Sequence, residues 1–216
     1  RVIFLNINRN EFVTALSFAL DFLEFGLRRS VTNHGKRVAL LAIYIGEELA
    51  LDQPDLFDLY ACSMLHDNGV THKVYNALSE DGLRQLESAV SHCVTGESNL
   101  SRFPFMKKRD NVILYHHEAY DGSGFFKKQG AEIPLFSQII AAADTADILY
   151  SGGADVYDIT KAVREDSGKR FDPDIAQALE RPSASRPTGF PSMTFLSRAR
   201  SAKSCRCLMK KFLWMK

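Results

Sequence analysis

Apolar residues return at helical spacing along nearly the whole chain. Phe12, Leu16, Leu20, Leu23 and Leu27 form one stripe, and Val38, Leu41, Ile45 and Leu49 another. Steps of three and four put side chains on one face of an α-helix. The period-two alternation of a half-buried strand is scarce. A chain patterned this way buries its apolar surface by packing helix on helix, so the expected fold is an all-α bundle. Further helices are expected near 54–66, 80–93, 107–118, 134–150, 154–165 and 172–180, broken by Asp81-Gly82, Asp121-Gly122 and Gly152-Gly153, pairs that favour turns. Asp52 ahead of Pro54 offers a cap and a ring-fixed first turn to a helix ending on His66-Asp67.

The 216 residues are 45% hydrophobic and 25% charged, sufficient for one substantial core. The helical pattern fails after Leu179. Residues 181–216 mix Pro, Ser and basic side chains and hold nine Lys or Arg with no Asp or Glu. One domain over 1–180, followed by a basic, poorly ordered extension over 181–216, is the expected organisation. The net charge of +1 conceals a body that is acidic: residues 1–180 carry 18 basic and 26 acidic side chains, a balance of −8. That balance argues against DNA as a partner and suits cation binding. The extension either touches nucleic acid or acidic lipid or serves as a solubilising tail.

Cys62, Cys93, Cys205 and Cys207 lack the regular spacing of a secreted disulfide framework, and Cys205-Arg206-Cys207 is too short a spacing for a zinc ribbon. No apolar run approaches the roughly 18 residues of a membrane span. A cytoplasmic location is expected. Because the chain opens on Arg1 rather than Met, a further upstream segment is expected too.

The histidines fall on the apolar faces. His34 lies on the stripe of Val38, Leu41, Ile45 and Leu49; His66 follows Leu59 and Cys62; His116 and His117 follow Ile113. One inward histidine is ordinarily a hydrogen-bonded core residue. Asp144, four residues after Ile140 in IIAAADTADIL, would bury a carboxylate in an apolar helix, which is costly without a partner. Several helices that each turn a His or Asp inward point jointly to a shared metal site.

Taken together, His34 in HGKRVA, His66-Asp67 in LHDNG, His92 in SHCVTG, HHEAYDGSGF at 116–125 and Asp144 in IAAADTAD resemble the HD-GYP family, part of the HD-domain metal-dependent phosphohydrolases. The similarity runs from about residue 11 to 180 and includes IPLFSQI and FDPDIAQAL. It implies an all-helical fold, two divalent metal ions and hydrolysis of cyclic di-GMP to linear pGpG or GMP by a hydroxide shared between the metals. By position, the resemblance makes His34, His66, Asp67, His92, His116, His117 and Asp144 the ligands, with Asp67 bridging and His66 and Asp67 central to catalysis. Imidazole and carboxylate ligands without thiolate favour iron or manganese. Lys73, Gly122 and Gly124 are expected near the substrate, and Arg37 is expected either to reach a substrate phosphate or to cover the helix surface. Glu118 is expected either to orient a ligand histidine or to be a solvated charge, and Asp121 to support the loop. A cyclic dinucleotide is the implied partner, with a diguanylate cyclase domain or an upstream sensory domain beside it.

The chain departs from the family pattern in three places. Val70 stands where the HDxGK motif has its lysine, which removes a cation from the phosphate. Gly124-Phe125-Phe126 replaces GYP, losing a phenol hydroxyl and a ring-locked proline. Ser30 occupies the position of a glutamate that holds a third metal in some members. These departures leave open a module that keeps its metals and binds a nucleotide or protein partner with little or no turnover.

Overall fold

The computed structural model describes residues 9–28, 33–70, 83–103 and 109–181. The stripe beginning at Phe12 lies on helix α1 (Arg9–Arg28) and the stripe from His34 on α2 (His34–Glu48). After them come α3 (Gln53–Met64), α4 (Leu83–Leu100), α5 (Leu135–Ser151), α6 (Val156–Glu165) and α7 (Pro173–Glu180). Among the described residues there is no strand, only a 3₁₀ turn at Gly130–Glu132 and an isolated bridge between Ser167 and Phe171. The fold is all-α, as its periodicity requires. No helix among the described residues is long and apolar enough to cross a membrane.

Aspartates begin three of the helices. Asp52 accepts from the Asp55 amide at 2.8 Å, Asp155 from Asp158 at 2.9 Å and Asp172 from Asp174 at 2.7 Å. Each such cap contributes about 1 kcal/mol by satisfying an orphan amide. Pro54 and Pro173 sit in first turns, where no amide hydrogen is missed.

Helix α2 packs on α3, α5 and α7. Two glycines bring α2 close to α3. A Cβ on Gly46 would meet side-chain carbons of Leu59 and Leu56 at 2.9 and 3.0 Å, and one on Gly35 would meet the Met64 carbonyl at 2.9 Å. The start of α2 therefore lies beside the end of α3, and the two run antiparallel. Val38, Ile45, Leu59, Ile113, Ile139, Ile140 and Ile159 fill the centre with no more than trace exposure. Each such side chain contributes roughly 1.5–3 kcal/mol relative to exposure.

Three expectations need correction. Helix α3 stops at Met64 rather than carrying His66-Asp67, because the amides of Leu65, Asn68 and Val70 bond back three residues in successive tight turns. Helix α4 runs on to Leu100, well past residue 93. Residues 110–117 form turns, not a helix. Asn111 is left-handed at φ 66°, and the amides of Asn111, Ile113 and Leu114 donate to the Glu97 carboxylate of α4 at 2.6, 2.9 and 3.2 Å. The basic extension from residue 182, Lys73 and the start expected for α4 at residue 80 lie outside the described residues.

Candidate metal centre

The tight turns after α3 place His66 and Asp67 over the start of α2 and against α4. Gly69 makes this approach feasible, since a Cβ there would fall 2.1 Å from the His92 carbonyl and 2.7 Å from the Gly96 amide. His34, first residue of α2, follows Asn33, which is left-handed at φ 54°. The histidine's Nε2 lies 3.2 Å from Asp144 Oδ1 on α5 and 3.9 Å from Asp67 Oδ2. The Nδ1–H of His66 donates to the Ser63 carbonyl at 2.8 Å. That bond directs the His66 Nε2 towards Asp67 Oδ2 at 3.5 Å and Asp144 Oδ1 at 3.9 Å.

A second group lies on the far side of Asp67. The Nε2 atoms of His92, on α4, and His117 are 3.2 Å apart. His116 donates its Nδ1–H to the Ile113 carbonyl at 2.6 Å, leaving a buried Nε2 with no hydrogen-bond partner. A buried acceptor left unsatisfied costs about 1–3 kcal/mol, and a cation would satisfy it. Asp67 Oδ1 lies 3.8 Å from His92 Nε2, so the two oxygens of this carboxylate face the two groups. Although recessed among the rings, the Asp67 side chain keeps 43% of its surface open, which leaves a face for a ligand to approach.

Electrostatics divides the two groups. Burial disfavours the His34 imidazolium, but hydrogen bonds to Asp144 and Asp147 and the charge of Asp67 outweigh it and raise His34 from 6.5 to about 10. Burial and nearby imidazoles push His116 well below its ordinary range and bring His117 down to about 4, so both rings present lone pairs, the form that ligates metal. Desolvation alone would raise Asp67, yet the rings of His66, His34, His116 and His92 hold it below the usual carboxylate range.

Donors about 2.1 Å from one ion stand roughly 3.0–3.4 Å apart in right-angled or tetrahedral arrangements. The His34–Asp144 and His92–His117 pairs already have that spacing. Two groups among the described residues can hold a metal ion: His34, His66 and Asp144, and His92, Cys93, His116 and His117. All seven residues expected as ligands converge here, Asp67 between the groups.

The other expected site residues divide. Arg37 is buried, not poised at a substrate phosphate. Its guanidinium donates to both oxygens of Asp147, at 2.5 and 2.8 Å, and to Ser151 at 3.0 Å. The Glu118 carboxylate turns from the histidines to accept the amides of Phe126 and Lys128, each at 2.9 Å. It thereby ties down the glycine loop rather than a ring. Asp121 accepts from Ser123 at 2.9 Å within the loop. Gly122 is needed for its φ of 82°, and Gly124 because a Cβ would meet Glu118 Oε1 at 2.5 Å. The Phe126 ring packs edge-on against Tyr115, centroids 5.4 Å apart, while Phe125 is partly exposed.

Three residues of the site escaped the sequence reading. Asp147 grips the His34 Nδ1 at 2.7 Å, the carboxylate–histidine arrangement that fixes ring orientation at metal sites. Its signal was the three-residue step from Asp144. Glu97 holds the segment bearing His116 and His117, and nothing local in the sequence marks it. Cys93 sits next to His92 with its Sγ 3.6 Å from the His92 Nε2, and burial pushes its thiol up to about 12.

A helical shell around clustered His and Asp side chains defines a class, and comparison with known proteins narrows it. The HD domain model matches residues 27–175, and the chain belongs to that family. It is 27% identical over 157 residues to a cyclic di-GMP phosphodiesterase of Thermotoga maritima, covering 68% of this chain and 43% of that protein. The chain spans less than half the length of the curated relatives it matches. Its fold is shared with the crystal structure of a cyclic GMP-AMP specific phosphodiesterase of Vibrio cholerae, at TM-score 0.69 and 23% identity, over 93% of this chain and 53% of that one. It is also shared with an HDGYP protein of Bdellovibrio bacteriovorus, at TM-score 0.58 and 18% identity, over 78% and 59%.

Proposed function

We propose that the chain is a metal-dependent phosphodiesterase that opens cyclic di-GMP to linear pGpG or GMP. The observation that carries this reading is the Asp67 carboxylate, whose oxygens face two separate donor groups 3.5–3.9 Å away. In this reading His34, His66 and Asp144 would hold one divalent ion and His92, His116 and His117 another, iron or manganese, with Asp67 available to both. Such a pair, when bound, supplies a nucleophilic hydroxide near neutral pH and positive charge for the phosphodiester oxygens. The protein holds the donors. Asp147 keeps the His34 proton on Nδ1, and the carbonyls of Ser63 and Ile113 do the same for His66 and His116, so each ring offers Nε2. Glu118 pins the glycine loop through the amides of Phe126 and Lys128. The name of the Thermotoga relative supports the substrate class, and a diguanylate cyclase or sensory domain as partner belongs to the same reading.

Metal analysis and a product assay on the purified chain test the proposal with cyclic di-GMP, 3′3′-cyclic GMP-AMP and mononucleotides in parallel. Bound transition metal and linear product from cyclic di-GMP are expected. Metal-loaded protein that leaves every cyclic dinucleotide intact would refute it. A second reading, a module that binds without turnover, is favoured by one feature: half-buried Val70 closes the turn after Asp67 where the family places lysine. Tight binding of cyclic di-GMP with no hydrolysis selects that reading.

A further inference from the structure

The two donor groups differ in kind. His34, His66 and Asp144 combine imidazole with carboxylate, whereas the group across Asp67 combines three imidazoles with a thiol. Cys93 is fully buried, with its Sγ 3.6 Å from the His92 Nε2 and 3.8 Å from the His116 Nδ1. One donor atom from each of His92, Cys93, His116 and His117 lies within 4.8 Å of the others. Sulfur at about 2.3 Å and nitrogen at about 2.1 Å from a tetrahedral ion stand roughly 3.6 Å apart. Independently of the cysteine, the buried His116 Nε2 has no hydrogen-bond partner, so a donor in the same group awaits an electrophile.

We infer that Cys93 is a sulfur donor beside the three imidazoles at this position, which makes it a nitrogen–sulfur site selective for a thiophilic divalent ion such as zinc or cobalt. Soft thiolate ligands favour such ions over manganese, which prefers oxygen. The thiol loses its proton to solvent as the S–metal bond forms, with no change of oxidation state. The centre is then asymmetric, with unlike ions on the two sides of Asp67. The inference rests on the two-metal reading proposed above and alters it on one side.

Cobalt(II) titration of the purified chain tests it, with Cys205→Ser and Cys207→Ser introduced to remove the thiols of the extension. Two cobalt ions per chain and a thiolate-to-cobalt charge-transfer band in the near ultraviolet are expected. The band and one of the two ions should be lost in Cys93→Ser. Wild-type protein offered equal zinc and manganese should take up zinc at this position, a measurement that needs no variant. Two bound ions with no charge-transfer band would overturn the Cys93 assignment and leave the proposed function standing. Absence of any bound ion would overturn both.

Discussion

At the scale of single residues, His34 is the most heavily engaged donor. It lies between Asp144, which shares a candidate ligand group with it, and Asp147, which orients the ring and is itself held by Arg37. Asp147 and Arg37 are both buried, and removing one partner of such a pair leaves an uncompensated charge. Arg37→Ala is therefore expected to cost about 3–5 kcal/mol in urea denaturation, whereas a side chain that merely covers the surface would cost a few tenths. Asp147→Asn should weaken metal retention about 10- to 100-fold, read by chelator competition, because the ring is no longer fixed by a carboxylate. The raised pKa of His34, about 10, sets the sign of the pH dependence. Below that value the metal-free ring is protonated and an ion must displace the proton, so apparent affinity should rise about tenfold per pH unit between pH 7 and 9. Affinity independent of pH over that range would contradict the assignment of His34 as a ligand.

At the scale of elements, the centre depends on how α4 meets the segments around it. Glycines at 69 and 96 let the turn after α3 and Ile113 press against α4, and Glu97 gathers three amides of the segment leading to His116. Gly69→Ala would place a carbon 2.1 Å from the His92 carbonyl. It should destabilise the fold by more than about 2 kcal/mol in urea denaturation, and a near-neutral result would show that the turn is not so tightly seated. Glu97→Gln should speed amide exchange at Asn111, Ile113 and Leu114 while leaving α2 and α5 protected. The segment also shows where sequence reading stops. Val112, Ile113 and His116 fall at helical spacing, so 107–118 reads as a helix. The carboxylate that takes its amides instead comes from α4, fourteen to seventeen residues earlier. Periodicity sees which face is buried, not which distant group satisfies the backbone.

At the scale of the whole molecule, the all-α bundle was legible because its stripes persist over most of the chain. The clustering of His34, His66, His116, His117 and Asp144 was legible because an inward His or Asp stands out on an apolar face, whereas His92 and Asp67 came from the family resemblance. Arg37 and Glu118 were misplaced for one reason: a charged side chain within a turn of a ligand was assigned to the substrate or to a ring, although its partner lay on another element. Val70 leaves the phosphate without the family's lysine, so Val70→Lys should raise turnover of cyclic di-GMP without changing metal content; an unchanged rate would show that the lysine is not what limits catalysis. The most direct test of the central claim is the metal content of freshly purified chain, by elemental analysis joined to anomalous scattering from crystals. Two ions per chain, one on each side of Asp67 and both lost in Asp67→Ala, are expected. A chain without metal, or metal bound away from these histidines, would contradict the account.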